Sequence, residues 1–478
     1  MRGGIERTAF QIDLARKHGQ RTVYLDTGNA LFGQLQSDGE AVAQQERKAS
    51  AIAQSMAIMG LEAFFPGPLD DVRGAPFRRT LGLPEVSQET VKRFDLGSGH
   101  TLAVFSSPSL DRLWDLAAAA KGSHASFTLG LFEGPLEAAL AAGSRSKGPD
   151  LMIATRAKDA FAAEETRIAS AETPLVQLQS KGRSLLRIDL TLRGETPVMW
   201  LKEATETERE LAALAARVEL LVAQINDPSS AEETRALRRA KLAEVVARRE
   251  ALASRPLEIP PETSSARLRA IAVEANLESL PAARQIVTAY DRDVGALNIA
   301  WAEKNPQRCA AVEPGQPSFV GSEQCAGCHR PAMDAWRISK HAQAFTTLKT
   351  QGKNAHLDCI GCHVTGWKAP GGPCQVNRVS GREEVGCESC HGPGSLHVTA
   401  PSSRNVLKGS AQAQCVSCHD HENSPHFNFE TYLAQIVTWG HGASAPASKP
   451  AASRTQEAAR AVQTSENRPS FEPGSRLP

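Results

Sequence analysis

Four copies of one five-residue pattern stand in the last third of the chain. They are Cys325-Ala-Gly-Cys328-His329, Cys359-Ile-Gly-Cys362-His363, Cys387-Glu-Ser-Cys390-His391 and Cys415-Val-Ser-Cys418-His419. Each is the attachment signature of a c-type haem: two thiols add across the porphyrin vinyl groups and the adjoining imidazole takes the iron. A segment that wraps four macrocycles is packed around them rather than around an ordinary apolar core. Pairs of Cys-x-x-Cys also build zinc ribbons, but a ribbon needs no His after the second Cys, and all four copies have one.

Cysteine and histidine placement marks this region as a module with its own chemistry. All ten cysteines lie between Cys309 and Cys418, and ten of the thirteen histidines between His329 and His441. Six of those histidines stand outside the motifs: His341, His356, His397, His421, His426 and His441. Met333 is the only methionine after residue 200. Bis-histidine ligation is therefore expected, with low potentials relative to Met/His cytochromes. Cys309 and Cys374 belong to no motif; they either pair in an oxidising compartment or stay as two thiols.

The 478 residues exceed one ordinary core and imply two or three domains. With 54 basic against 53 acidic residues, bulk charge points to neither nucleic acid nor a membrane surface. No apolar run is long enough to cross a bilayer, and residues 1–20 lack the apolar centre of a signal peptide.

Along residues 1–200, short apolar runs alternate with helical patterns. Strands are expected at Thr22–Leu25, Ala63–Phe65, Leu102–Phe105, Phe127–Phe132 and Leu151–Ile153, with a helix over Val42–Met59. The runs Leu175–Leu178 and Leu185–Leu192 follow without a helix between them, which suggests antiparallel closure. Leu211, Leu214, Val218, Leu221 and Ile225 form a coiled-coil seam, so residues 203–254 read as a helical hairpin broken at Asn226–Ser230. Residues 255–317 read as a Pro-rich linker and a helix near Ala282–Ala302, residues 318–442 as the haem module, and 443–478 as a disordered tail.

The stretch VGSEQCAGCHRPAMDAWRISKHAQAFTTL, with CIGCHVTGWKAPGG, CESCHGPGSLH and CVSCHDHENSPHFNFETYL, resembles the tetrahaem cytochrome c family typified by the electron acceptor of hydroxylamine oxidoreductase. The resemblance implies four covalent haems c held by Cys325, Cys328, Cys359, Cys362, Cys387, Cys390, Cys415 and Cys418. Proximal iron ligands would be His329, His363, His391 and His419. It further implies His341 on haem three, His397 on haem four and His441 (with His426 in reserve) on haem one, with haem two five-coordinate.

Residues 1–200 resemble a second family. GGIERTAFQIDLARKHGQRTVYLDTGNALFG, KASAIAQSMAIMGLEAFFPGPLDD and GPDLMIATRAK follow the block order of calcineurin-like metallophosphatase domains of periplasmic 5′-nucleotidases. The ligand positions have changed. Asn29 stands where the bridging carboxylate belongs, Pro68 and Leu69 replace an Asn ligand and a catalytic His, and Ala154–Ala157 replaces Gly-His-x-His. The expected fold class is thus a degenerate α/β metallophosphatase-like sandwich, truncated at its start, then a helical hairpin and a mostly α, haem-packed module.

The functional expectation is periplasmic electron transfer between redox partner proteins, with the N-terminal domain inactive as a phosphatase. Redox catalysis on nitric oxide, nitrite or a similar small ligand at an open haem two is the alternative, and nucleotide hydrolysis the least favoured reading. Export implies a signal peptide encoded upstream of Met1, with the missing first block of the sandwich.

Overall fold

The computed structural model describes residues 4–18, 21–35, 39–142, 148–155, 167–169, 173–178, 182–194, 196, 198–201, 204–226, 232–253, 262–274, 276–407, 412–420, 423–424 and 427–437. The tail 443–478 and the candidate ligands His421, His426 and His441 lie outside these residues. The chain divides into two compact units, Met1–Trp301 and Ala302–Pro478.

In the first unit, strands β1 (Tyr24–Asp26) and β2 (Leu61–Phe64) pair in parallel, with the helix Ala41–Ile58 between them. A second sheet holds β3 (Lys92–Gly97), β4 (His100–Ser107), β5 (Phe127–Phe132), β6 (Leu151–Ala154), β7 (Arg167–Ala169) and β8 (Leu175–Gln177) in the order β3-β4-β5-β6-β8-β7. Pairing is parallel from β4 through β8, with antiparallel strands at both edges.

Side-chain alternation sorts this sheet's two faces. Leu102, Val104, Phe127, Leu129, Leu131, Leu151 and Ile153 enter one core with Ala63 and Phe65 beside β2. Ala103, Phe105, Phe132, Met152 and Ala154 enter another, against the helices Leu110–Gly122 and Leu136–Ala142. Leu113, Leu116, Ala117 and Ala120 give the first of these helices its buried stripe, and the Ser109 hydroxyl caps it by accepting the Arg112 N–H. The mixed α/β character read from the sequence is thus present.

Closure differs from the expected plan. β9 (Ser184–Thr191) and β10 (Met199–Leu201) flank β11 (Ser265–Ala272), antiparallel on the β9 side and parallel on the β10 side. Residues 265–272 had read as linker, yet Ala266 and Leu268 complete the first core together with Ile188, Leu190 and Trp200. The two helices Ala204–Asn226 and Glu232–Ala253 are inserted between β10 and β11 as the expected hairpin, with Leu221 of the seam buried. The helix Pro281–Lys304 is tied to Ala41–Ile58 by the Arg47–Asp293 ion pair (2.9 Å) and by the Asn298 amide donating to Gln44 (2.7 Å).

The second unit is built of short helices: Arg330–Arg337, Ala344–Thr350, Leu357–His363, Cys387–His391, Ser395–Thr399, Gln412–Val416 and Phe429–Val437. Its apolar cluster is small and sits around the second motif: Phe345, Leu348, Ala355, Ile360, Val364, Val376, Val379 and Ala302. Cys309 and Cys374 form a disulfide, which resolves the open alternative.

Candidate haem sites

In each motif the i, i+3 spacing sets two thiols on one side of a helical turn, one above the other, with the imidazole next along the chain. Motifs two and three lie within helices, Leu357–His363 and Cys387–His391. In motif one, a 3₁₀ turn at Ser322–Cys325 precedes His329, which caps the next helix. None of the eight motif cysteines is in a disulfide, although another pair in the same unit is oxidised.

The imidazoles are oriented by their neighbours. A backbone carbonyl can only accept, so a ring nitrogen facing one carries the proton. His363 Nδ1–H donates to the Ala344 carbonyl at 2.6 Å and His391 Nδ1–H to that of Leu407 at 3.2 Å. His397 Nδ1 sits 2.9 Å from the Ser402 carbonyl, and His419 Nδ1 2.9 Å from the Ser424 hydroxyl. At His363 and His391 this leaves Nε2 as the lone-pair atom, the arrangement of a metal-binding histidine with its outer nitrogen held; His397 Nδ1 also accepts the Ser402 N–H at 3.3 Å. Burial lowers the pKa of His341 and of His419, favouring the neutral form that binds metal.

Two pairs of imidazoles approach each other. The His329 and His397 centroids are 6.0 Å apart with 28° between planes, and those of His341 and His419 are 6.1 Å apart with 51° between planes. Metal–imidazole bonds of about 2 Å on both sides of one ion put ring centres roughly 6 Å apart. These ring neighbours differ from the ligand sets the resemblance implied, His341 with His391 and His397 with His419; the third, His441 with His329, falls outside the described residues. The physical reason lies in the turn after motif three. Gly394 is held back against Val320 and Gly321, ahead of motif one, by the Glu388 carboxylate, so His397 comes to motif one.

The attachment edges also meet. The Cys325 and Cys387 thiols share a hydrogen bond, which pulls Cys387 down and pushes Cys325 up; Cys362 and Cys418 do the same, with Cys418 lowered. Cys390 lies near Cys415 and Cys418. Numbered by motif, the sites adjoin in the order one, three, four, two.

The surroundings fit a porphyrin. Ile338, Leu396, Val398, Leu407 and Val416 are exposed apolar side chains close in sequence to the motif or paired histidines. An open cleft of about 510 Å³ lies against His419, lined by Val416, Phe427 and Phe429 among others. Phe427 stacks on the His419 ring at 4.6 Å. Apolar surface of this kind, next to a small core, suits a large flat apolar group that completes it. His356 is buried at the N-terminus of the second motif's helix.

Comparison with known proteins bears on this segment. Residues 324–392 match the family described as Cytochrome c554 and c-prime. Cytochrome c-554 of Nitrosomonas europaea is 36% identical over 69 residues, covering 11% of this chain and 29% of that protein. The segment is a cytochrome c554-type domain. The match takes in the first three motifs of the cytochrome c554 domain, and the fourth lies beyond it. The chain spans less than a third of that relative's length. Among solved structures, the Thermus thermophilus sulfate thiohydrolase SoxB is 14% identical with a TM-score of 0.36, over 70% of this chain and 54% of that one. The Haemophilus influenzae NAD nucleotidase NadN is 11% identical with a TM-score of 0.35, over 67% and 58%.

In the first unit, the loops after β1 and β2 meet at Asn29. Its backbone is left-handed (φ 63°), which Asn tolerates, and its side-chain oxygen accepts the Leu69 N–H at 3.0 Å. Asp70, nearly inaccessible, accepts the N–H groups of Asn29, Ala30, Leu31 and Gly67 at 2.5–2.9 Å. Asp26 accepts that of Gly28, and burial with the nearby Asp70 carboxylate pushes its pKa up to about 7. These carboxylates hold backbone. Among the described residues, no three His, Cys, Asp or Glu side chains are placed to hold a metal ion.

Proposed function

We propose that residues 318–442 carry four covalent c-type haems and relay electrons between redox partner proteins outside the cytoplasm. The observation that carries this reading is the spacing of about 6 Å in two imidazole pairs, His329–His397 and His341–His419, each joining a motif histidine to one outside the motifs. Cys325 and Cys328, Cys359 and Cys362, Cys387 and Cys390, and Cys415 and Cys418 would form the thioethers, and His329, His363, His391 and His419 would take the irons. When bound, each haem supplies a one-electron couple. The protein's part is to fix axial nitrogens, exclude water with apolar side chains and bring neighbouring attachment edges together. With the motif cysteines adjoining in the order one, three, four, two, haems held there would have one and two as the ends of the relay.

An extracytoplasmic site agrees with the Cys309–Cys374 disulfide, which persists in oxidising compartments. No helix among the described residues is long and apolar enough to cross a membrane. The fourth haem rests on its own motif and on the His341–His419 pair.

A second reading, small-ligand chemistry at haem two, rests on the resemblance, which implies a five-coordinate iron at His363. Carbon monoxide titration of the reduced protein separates the readings. Reaction at about one haem in four supports an open iron, and none leaves a pure relay.

The first unit is read as a metal-free relative of metallophosphatases that serves as an interaction module. Asn29 bridging two loops and Asp70 holding four backbone N–H groups support this. Phosphoesterase activity of the full chain stimulated by manganese or zinc would overturn it.

A further inference from the structure

We propose that Glu388, the second residue of the third motif, is the positioning residue that brings His329 and His397 together as the two histidines that would hold haem one. The proposal rests on the haem reading above and deepens it.

Glu388 is buried within the helix Cys387–His391. One carboxylate oxygen accepts the Val320 N–H at 2.9 Å and the Gly394 N–H at 2.8 Å; the other accepts the Gly321 N–H at 2.7 Å. Val320 and Gly321 lead directly into motif one, which carries His329. Gly394 leads into the helix Ser395–Thr399, which carries His397. A single side chain thus holds both approaches to the His329–His397 pair.

The backbone around it is shaped for this contact. Gly321 has φ 90°, a conformation that side chains with a Cβ rarely adopt. A Cβ on Gly386 would collide with the Ser322 hydroxyl, which accepts the Cys387 N–H. Ser318 and Ser395 exchange two further bonds, the Ser318 N–H donating to the Ser395 hydroxyl at 2.8 Å and the Ser395 N–H to the Ser318 carbonyl at 3.1 Å. These keep the two segments associated when Glu388 is cut, so the expected loss is one of register at haem one.

The test uses the full-length, haem-loaded protein and the variants Glu388→Ala, Glu388→Gln, His397→Ala and, as a control, the exposed Glu323→Ala. Haem content is counted first, by pyridine haemochrome; fewer than four in the unaltered protein overturns the haem reading itself. Electron paramagnetic resonance and carbon monoxide titration then count high-spin haems. Glu388→Ala should make one further haem high-spin and gas-reactive, reproducing the His397→Ala spectrum, with no added effect in the double variant. Glu388→Gln keeps an oxygen that can hold Val320 and Gly394, so it should rescue most of the low-spin signal. Glu323→Ala should match the unaltered protein. If His397→Ala leaves the low-spin count unchanged, the pairing is wrong. If His397→Ala changes it but Glu388→Ala with four haems does not, or if the gas-reactive haem differs between them, the positioning role is overturned. If the Ala variant does not mature, the Gln variant decides: a low-spin count equal to that of Glu323→Ala supports the proposal, and loss as complete as in His397→Ala contradicts it.

Discussion

Each motif histidine has two ring nitrogens, and what holds one decides what the other can bind. At His363 and His391 a carbonyl takes the Nδ1 proton, so the iron-binding atom is fixed before any haem arrives. The same logic makes His341 testable independently of His397. His341→Ala should convert the haem at His419 from low-spin to high-spin, seen as a new high-spin ferric resonance, and leave the haem at His329 low-spin. An unchanged spectrum would separate His341 from that iron. In the first unit, Asp26 carries a different expectation. Its folded pKa is raised from 3.8 to about 7, so folding favours the protonated acid. The stabilising influence is full below about pH 4 and is lost as pH rises through about 7. A shift of this size limits the effect to a few kcal/mol at most (order of magnitude). Calorimetry of the full chain should show a transition that falls across this window and flattens in Asp26→Asn. An identical pH profile in the variant would remove Asp26 from the account.

At the scale of elements, Thr365 ties the second motif to the third. Its hydroxyl donates to the Glu384 carbonyl and accepts the Gly386 N–H, both at 2.8 Å, beside the Ser389 hydroxyl. Thr365→Val keeps the volume and orphans two buried backbone groups, a loss of about 1–3 kcal/mol. A lower denaturation midpoint at unchanged haem content would show it; no shift would mean that water or backbone movement replaces the hydroxyl. Elements of this kind differ in how legible they were. The strand Phe127–Phe132 and the helix Ala41–Ile58 were plain because their apolar periods are local. β11 was not, since Ser265–Ala272 follows a Pro-rich run and its partner Ser184–Thr191 lies far back in the chain. The motif cysteines and histidines were readable because covalent attachment dictates a contiguous pattern. Which imidazoles neighbour one another was not, because at His397 it depends on where the turn at Gly394 is pulled. Glu388 itself stood in view inside Cys-Glu-Ser-Cys-His, a charged residue in a segment that packs inward, and that was the available signal.

For the molecule as a whole, the Cys309–Cys374 link closes a loop across the start of the haem unit, with a sequence separation of 65 and a Cα–Cα distance of 5.4 Å. Restricting the unfolded chain in this way is worth up to about 4 kcal/mol. The double variant Cys309→Ser/Cys374→Ser should therefore unfold earlier in denaturant while its four haems keep their spin states. Unchanged stability would make the link incidental. Everything else depends on the number of macrocycles the unit carries, because the small core, the exposed apolar side chains and the facing imidazoles are all explained by them. Intact mass spectrometry of the denatured, haem-matured protein counts them directly. The account predicts a single species carrying four covalent haems, and a chain that matures fully with three or fewer would contradict it.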